Sequence, residues 1–267
     1  MTAVLLGCQG WEYSGWIGSF YPSETSPADM LREYGARLRT VELPDTIVGI
    51  PPEPTVESWR DSVPDGFIFS LKVPQQVTHE TRLDMSHPLL GKFVDRVSLL
   101  GDKLGPLLLQ LPPGFRRTAE SESVLGSFVR DLPQGFRWAV EFRSAEWLTR
   151  DVQTLLAERG ISLVLADARW VRRSVMLDLA SCPTADFAYV RWGGSAPARA
   201  VAPSQGMCRL LSTWNVAVGR LLGAVETVFG YFGNNFGGDG PSRVQAFKAL
   251  IDRQGSRPGI ANTSCLR

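Results

Sequence analysis

The sequence predicts an α/β fold: a single TIM-type (β/α)8 barrel of parallel strands with outer helices. Three observations support this prediction. Apolar strands alternate with amphipathic helices along the chain, the alternation occurs eight times, and no change of composition marks a linker. Eight such strand and helix units are the number that closes a barrel.

The strands in the centre of the chain have the clearest pattern. Residues 106–109 and 138–140 are apolar without polar alternation, which is typical of strands covered on both faces. In chain order, the predicted strands cover residues 3–7, 40–43, 67–72, 106–111, 137–142, 162–166, 187–191 and 227–232.

Several helices have recognisable first residues. Ser26-Pro27 places an N-cap and a first-turn proline before an apolar helical face, and Thr118 precedes a second such face. Asp239-Gly240-Pro241 opens the last helix.

A doubly wound open sheet is the alternative fold. It would normally carry a G-x-G-x-x-G phosphate motif after the first strand, and residues 7–11 do not match that motif.

The composition favours one domain. With 267 residues, of which 44% are hydrophobic, the chain can bury a large core, and we expect a single domain over residues 1–255. Residues 256–267 are rich in small and polar residues, and we expect them to form a flexible tail. A net charge of +1 gives no global electric field that would attract nucleic acid or an anionic membrane.

No motif identifies a cofactor or an export route. The four cysteines are scattered, form no CxxC pair and accompany only two histidines, so we expect no zinc site of the usual spacing. The N-terminus lacks a signal-peptide pattern, and no apolar run is long enough to span a membrane. We therefore expect a cytoplasmic protein with reduced thiols and no membrane partner.

Short motifs, in order along nearly the whole chain, resemble one known family. They are Gly7-Cys8-Gln9-Gly10-Trp11, Trp16-Ile17-Gly18-Ser19-Phe20-Tyr21-Pro22, Thr40-Val41-Glu42, Phe69-Ser70-Leu71-Lys72-Val73-Pro74, Thr78-His79, Leu109-Gln110-Leu111-Pro112-Pro113, Val140-Glu141-Phe142-Arg143 and Asn234-Asn235. Together they resemble the YecE-like family, domain of unknown function seventy-two. The resemblance implies a TIM-type barrel. It implies no reaction, because that family has no established activity.

Two positions depart from the family pattern. After Val41-Glu42 the family usually has an Asn and then a Phe-Tyr pair, whereas this chain has Leu43-Pro44-Asp45 and Ile47-Val48. After the seventh strand the family's Arg is usually followed by one residue and a His-Gly, whereas Arg191-Trp192-Gly193 lacks the histidine. If these positions contact substrate, the departures imply a different ligand or none.

Polar residues follow the predicted strands where each strand ends. Because the carboxyl ends of barrel strands meet at one rim, where ligands bind, we expect these side chains to converge on one site. They are Glu42, Lys72, Gln110, Glu141, Arg143, Asp167, Arg191, Asn234 and Asn235, with Trp11 and His79 in adjoining loops. The alternative is that the charged residues form buried ion pairs with a purely structural role.

Glu141 is the first candidate for catalysis. Burial would raise its pKa and suit a general acid or base, whereas a nearby cation would keep it ionised, and the sequence leaves both open. Glu42 or Asp167 would be its partner, since paired carboxylates serve glycoside hydrolysis and many proton transfers. Lys72 is a candidate Schiff-base nucleophile, although we favour a salt bridge from Lys72 to Glu42 or Glu141.

Three cations predict the chemical class of the ligand. Lys72, Arg143 and Arg191 would bind an anionic or phosphorylated group. Gln110, at the end of the fourth predicted strand, is expected to contact the same substrate. The predicted partner is therefore a small anionic or sugar-like molecule.

The remaining candidates lie in loops. Trp11 would stack on a sugar or a base. Asn234 and Asn235 precede a glycine-rich loop whose backbone amides can accept an anion, although such glycines also serve tight turns. His79 would join the carboxylates in a metal site, but no H-x-x-E or H-E-x-x-H spacing is present. We expect His79 to bind substrate or to hydrogen-bond its own loop, and we expect no metal.

Two function classes follow. The first is an enzyme, a hydrolase or a general acid/base catalyst, acting on a small anionic, phosphorylated or sugar-like compound at the carboxyl-terminal rim. The second is a non-catalytic barrel that binds a ligand or nucleic acid through a basic, aromatic rim. Steep salt dependence of binding to single-stranded nucleic acid would favour the second. The sequence identifies neither a cofactor nor an oligomeric state.

Overall fold

The computed structural model describes residues 2–44, 46, 49–80, 83, 88–193, 205–234 and 240–255. Within these ranges, parallel strand segments form a nine-stranded sheet that curls into a nearly closed barrel, and helices surround it. The predicted TIM-type α/β fold is therefore confirmed. The predicted flexible tail, residues 256–267, and the candidate site residue Asn235 lie outside the described residues.

The strands follow the apolar segments of the sequence. They are β1 (Ala3–Gln9), β2 (Thr40–Leu43), β3 (Ile68–Lys72), β4 (Leu104–Gln110), β5 (Trp138–Glu141), β6 (Ser162–Leu163), β7 (Leu165–Asp167), β8 (Phe187–Trp192) and β9 (Thr227–Phe232). They are hydrogen-bonded in the order β6-β5-β4-β3-β2-β1-β9-β8-β7. Each pairing is parallel, as crossover helices require.

The sixth predicted strand is divided in the structure. β6 pairs with β5, β7 pairs with β8, and only Val164 separates the two segments. The Leu163 amide donates to Thr184 Oγ1 at 2.8 Å, and this hydroxyl donates to the Ile161 carbonyl at 2.7 Å. The Thr184 side chain thus supplies hydrogen bonds beside β6. Because the chain passes from one end of the sheet to the other here, the nearly closed barrel has nine strand segments rather than eight strands.

The α-helices of the described ranges lie outside the sheet. They are α1 (Met30–Gly35), α2 (Glu53–Ser62), α3 (Leu89–Val97), α4 (Ala119–Asp131), α5 (Arg150–Ala157), α6 (Arg173–Leu179), α7 (Gln205–Leu221) and α8 (Gly240–Gly255). None of the helices in this part of the chain is long and apolar enough to cross a membrane.

Two of the predicted helix starts, at Thr118 and at Ser26, behave differently from each other. Thr118 caps α4 as expected, because its Oγ1 accepts from the Ser121 amide at 3.2 Å while Ser121 Oγ accepts from the Thr118 amide at 2.8 Å. Ser26 makes no such cap. Its hydroxyl instead donates to Asp29 Oδ2 at 2.6 Å, and a short 3-10 turn, Pro27–Asp29, precedes α1.

Side chains that point into the barrel alternate with side chains that face the helices. The interior holds one apolar cluster, which includes Leu108, Ala139, Val164, Ala166, Phe187, Tyr189, Phe229 and Tyr231. The Tyr231 hydroxyl lies 2.8 Å from Thr40 Oγ1 and 2.6 Å from Ser70 Oγ. Two residues further along the strands, the same alternation directs polar side chains inward at the carboxyl ends. They are Glu42, Lys72, Gln110, Glu141 and Arg191.

Candidate functional site

Arg191 holds two carboxylates together at the carboxyl-terminal mouth of the barrel. Its Nε and Nη2 donate to the two carboxylate oxygens of Glu42 at 2.8 and 2.7 Å. Its Nη1 donates to Glu141 Oε2 at 2.5 Å. All three side chains are largely buried. A planar guanidinium that makes a bidentate pair and a third charge-assisted bond keeps these groups in one fixed arrangement.

Three further side chains complete the hydrogen-bonded set. Tyr189 donates its hydroxyl to Glu42 Oε2 at 2.7 Å. Gln110 donates Nε2 to Glu141 Oε1 at 2.8 Å and accepts a bond from Lys72 Nζ at 2.5 Å. We call this set the mouth network. It consists of Glu42, Lys72, Gln110, Glu141, Tyr189 and Arg191.

The environment of Glu141 favours the ionised form. Burial raises the pKa of this carboxyl, but the charge of Arg191, the hydrogen bond from Gln110 and the charge of Arg143 outweigh burial, so that the net pKa shift is downward. Of the two states that the sequence left open, the structure favours the carboxylate kept ionised by a cation. Glu141 is therefore suited to an electrostatic role rather than to that of a general acid.

Lys72 differs from the expectation. No ion pair joins its ammonium to Glu42, Glu141 or another carboxylate in the described ranges, so the predicted salt bridge is wrong. The reason is that Arg191 already occupies both carboxylates, and Lys72 Nζ donates to the Gln110 amide oxygen instead. Burial, followed by the charge of Arg191, lowers the pKa of Lys72 to about 8. This amine can lose its proton close to neutral pH.

Arg143 lies at the edge of the network. Its Nε is 3.5 Å from Glu141 Oε1, and its side chain remains 25% exposed. The guanidinium carbon of Arg143 lies 5.7 Å from the ring centre of Trp170, and that of Arg169 lies 4.4 Å from the same ring centre. Trp170 is 36% exposed. The rim therefore carries an accessible aromatic ring with two cations beside it.

Asp167 does not join the other carboxylates. Its neighbour Ala166 belongs to the interior cluster, so Asp167 points to the opposite face of β7. There its Oδ2 accepts from Arg173 Nε and from Trp214 Nε1, each at 2.9 Å. The prediction that Asp167 joins the other polar side chains at the mouth is therefore wrong. Asp167 instead links β7 to helices α6 and α7.

The predicted loop residues have other neighbours. Asn234 is buried, and its Nδ2 donates to the Gln9 carbonyl at 2.9 Å, which joins the ends of β9 and β1. Asn235 lies outside the described residues. His79 Nδ1 is 2.8 Å from Thr78 Oγ1 within a π-helical turn, Gln76–Glu80. These contacts lie within the protein, so the expected substrate contacts of Asn234 and His79 stay predictions.

Trp11 borders a cavity of about 500 Å³ between the loops that follow β1 and β2 and helix α2. Its ring packs edge-on against Trp59, with ring centres 5.9 Å apart. The described residues that line this cavity are mostly apolar and include no member of the mouth network. Trp11 therefore borders a second concave region of the same rim.

A metal site at the mouth is not assembled from the described residues. No three His, Cys, Asp or Glu side chains of that part of the chain are grouped to hold an ion. Arg191 bridges Glu42 and Glu141, and Asp167 faces the helices. These carboxylates are thus already engaged by cationic or indole donors.

Two residues that point into the mouth of the barrel were not predicted from the sequence. Tyr189 precedes Arg191 by two residues, so strand alternation could have placed both at the interior. Gln9 is paired in register with Glu42, and the residue is only 9% exposed. Its Nε2 has no hydrogen-bond partner among the described residues. A buried donor without a hydrogen-bond acceptor carries a free-energy penalty.

Comparisons with known proteins agree with the fold. A family model described as "Protein of unknown function DUF72" matches residues 5–264. The UPF0759 protein YecE of Escherichia coli strain K12 is 29% identical over 171 residues, which cover 62% of this chain and 60% of that protein. The alignment therefore spans less than two thirds of this relative.

Two solved structures of DUF72 family proteins share the architecture. The protein from Thermotoga maritima has a TM-score of 0.77 and 23% identity, and the similarity covers 94% of this chain and 99% of that chain. The protein from Enterococcus faecalis V583 has a TM-score of 0.75 and 19% identity, with 99% and 100% covered. Because the family model matches nearly the whole sequence, the chain belongs to the DUF72 family, the YecE-like family that its motifs resemble.

Proposed function

We propose that this protein is an enzyme that binds a small anionic substrate at the carboxyl-terminal mouth and performs general acid/base chemistry there. One observation carries the proposal. The mouth holds three cations, Lys72, Arg143 and Arg191, against two carboxylates, Glu42 and Glu141. An anionic ligand would balance the excess positive charge in this largely buried region.

The excess charge is carried by two of the cations. Arg191 is shared by both carboxylates through close bonds, so little of its charge is available to a ligand. Lys72 has no carboxylate partner in the described ranges, and Arg143 is 3.5 Å from Glu141 and partly exposed. We infer that Arg143 contacts the anionic group of the substrate, because a guanidinium fork suits a carboxylate or a phosphate.

Lys72 is the proposed proton-transfer group. A general base is most effective when its pKa lies near the operating pH, and burial with the Arg191 charge lowers the Lys72 pKa to about 8. Glu42 and Glu141 hold Arg191 in place and act electrostatically. The proposal therefore gives the acid/base role to the amine, and includes hydrolysis of a phosphorylated or sugar-like compound as one possible reaction class.

A reaction screen tests the proposal. The purified chain is incubated in D2O with separate small carboxylates, phosphate monoesters and sugar phosphates, and NMR records product formation or exchange of carbon-bound hydrogen. Lys72→Met should abolish any turnover found, and Arg143→Gln should weaken substrate binding. Lys92→Met, a change of an exposed lysine on α3, is the control and should behave like the wild type. Turnover that survives Lys72→Met would contradict the proposed role.

A second candidate function is binding of single-stranded nucleic acid or a nucleotide. The exposed ring of Trp170 beside Arg143 and Arg169 favours it, because bases stack on aromatic rings while arginines contact phosphates. Binding of a fluorescent oligonucleotide is measured over a range of salt concentrations. Affinity should fall steeply with salt and should fall again in Trp170→Ala. No binding at low salt would exclude this candidate.

A further inference from the structure

The lysine of the mouth network has the surroundings of a nucleophile. We propose, as an extension that rests on the proposed function, that Lys72 forms an imine with a small aldehyde or ketone that carries a carboxylate or a phosphate. The substrate class is thereby narrowed from anions in general to anionic carbonyl compounds.

The other lysines show why Lys72 is distinct. The chain has only four lysines. Lys103 Nζ donates to the carbonyls of Arg60 and Val63, each at 2.7 Å, and therefore fastens backbone segments to each other. Lys92 and Lys248 are exposed on helices. Lys72 instead lies inside the mouth, 7% exposed, with the Gln110 side-chain oxygen as its hydrogen-bond acceptor.

Burial and neighbouring charges keep this amine reactive. Burial is the largest cause of the lowered pKa of Lys72, and the charges of Arg191 and Arg143 add to it, while Glu42 and Glu141, which bond to Arg191, oppose it. A fraction of Lys72 therefore carries a free lone pair at neutral pH, and the lone pair is what attacks a carbonyl carbon.

The reaction needs no oxidant or reductant. The Lys72 nitrogen bonds to the carbonyl carbon, and the carbonyl oxygen receives a proton that leaves the nitrogen, which gives a carbinolamine. The carbinolamine then loses its hydroxyl group and the remaining nitrogen-bound hydrogen as water, which leaves the imine. Protonation of the imine gives an iminium cation, whose N–H can donate to the same Gln110 oxygen that now accepts from Lys72.

Two other side chains fit such a substrate. Arg143, partly exposed beside the network, can bind its carboxylate or phosphate. Gln9 offers a buried Nε2 that lacks a partner in the described part of the chain, and it lies in register with Glu42 on the neighbouring strand. A substrate oxygen that accepts from Gln9 would remove the free-energy penalty of this unsatisfied donor.

Reductive trapping tests the inference directly. The wild-type chain is incubated with glyoxylate, pyruvate or glycolaldehyde phosphate, and with uncharged propanal for comparison. Sodium borohydride then reduces any imine to a stable secondary amine, and mass spectrometry of the intact protein and its peptides locates the added group. We expect one added group per chain, at Lys72, with half-saturation at lower concentration for the anionic compounds than for propanal.

Matched variants make the outcome specific. Lys72→Arg keeps the positive charge but cannot form an imine, so it should lose the label without unfolding, whereas Lys92→Met should be labelled like the wild type. Arg143→Gln should raise the half-saturating concentration of glyoxylate about tenfold or more and leave that of propanal unchanged, because only the anion loses a charge-assisted bond.

Each contrary result has a distinct meaning. Label spread over Lys92, Lys103 and Lys248, or no label at all, would overturn the imine. If Lys72-dependent turnover of a non-carbonyl anion were found alongside such a result, the proposed function would stand without the imine. Label at Lys72 that shows no preference for anionic carbonyls would overturn the substrate class and, with it, the anion-binding role of the mouth.

Discussion

Lys72 donates to the side-chain oxygen of Gln110 at 2.5 Å, in a place where a carboxylate would have formed an ion pair. Gln110→Glu introduces that carboxylate with little change of shape, and it also replaces the amide that donates to Glu141 Oε1 with a second acidic group. The added acidic group increases the negative charge around Lys72. An opposite charge stabilises the ammonium, so the pKa of Lys72 should rise above about 8. The pH midpoint of competitive acetic anhydride labelling at Lys72 measures this, with Lys92 as the internal reference. An unchanged midpoint would mean that Gln110 does not control the protonation of Lys72.

The low pKa of Lys72 predicts how stability depends on pH. Its value falls from 10.5 in an ordinary lysine to about 8 in the folded chain. Burial and the charges of Arg191 and Arg143 lower this pKa, and the charges of Glu42 and Glu141 raise it. Below about pH 8 the amine is charged in both the folded and the unfolded chain, and the folded chain carries the full free-energy penalty of the buried charge. As the pH rises from about 8 toward 10.5, the unfolded chain binds more protons than the folded chain, so this penalty is lost and stability increases.

This linkage is measured against a variant without the amine. Between about pH 7 and about pH 9.5, the unfolding free energy of the wild type should rise relative to that of Lys72→Met by about 2 kcal/mol. Urea titrations of both proteins at the two pH values give the difference, and Lys92→Met controls for a general loss of one lysine. Parallel behaviour of wild type and Lys72→Met would contradict the lowered pKa.

Arg191→Met should be the most destabilising single change at the mouth. It leaves the Glu42 and Glu141 carboxylates buried without their shared cation, at a cost of about 3–5 kcal/mol. Glu141→Gln should cost less, about 1–3 kcal/mol, because Arg191 keeps both bonds to Glu42. Urea unfolding at neutral pH compares them. Equal losses in the two variants would show that Glu42 alone does not hold Arg191.

Asp167 should matter for stability and not for the ligand. Asp167→Ala leaves the buried Trp214 Nε1 without an acceptor and releases Arg173, so it should cost about 1–3 kcal/mol. Calorimetric binding of the substrate found by the reaction screen should be unchanged in the same variant, whereas Arg143→Gln should weaken it. Loss of binding without loss of stability in Asp167→Ala would instead put this carboxylate at the mouth.

The barrel and much of the mouth network could be predicted because strand geometry is periodic. Residues two apart share a face, so the polar residues at or near the ends of β2, β4, β5 and β8 lie two positions after interior residues. Asp167 shows the limit of this reasoning. The apolar run of this strand ends at Asp167, but the length of the run does not show which face of the strand Asp167 occupies. Ala166, one residue earlier, points into the interior, so Asp167 points toward the helices.

Charge interactions across the barrel could not be predicted in the same way. Whether Glu141 is ionised depends on Arg191, which is 50 residues away in the sequence and reaches Glu141 only because both side chains point into the barrel. The bridge through Gln110 likewise prevents the expected salt bridge of Lys72. Trp170 lies in a loop with no periodic pattern, so its packing against Arg143 and Arg169 left no signal in the sequence.

The divided sixth strand, residues 162–167, is a weakly paired part of the barrel wall, which we call the seam. β6 contributes two residues and β7 three, whereas β1 and β9 pair over six positions. Short ladders that rely partly on a side chain such as Thr184 open at lower free energy than long ones, so amide hydrogens of residues 162–167 should exchange with solvent sooner than those of β1. The seam lies between the strands that carry Glu141 and Arg191. Local opening of the seam would separate Glu141 from Arg191, whereas the two bonds from Arg191 to Glu42 would remain. The bond between Arg191 and Glu141 would therefore be the first of the three to break.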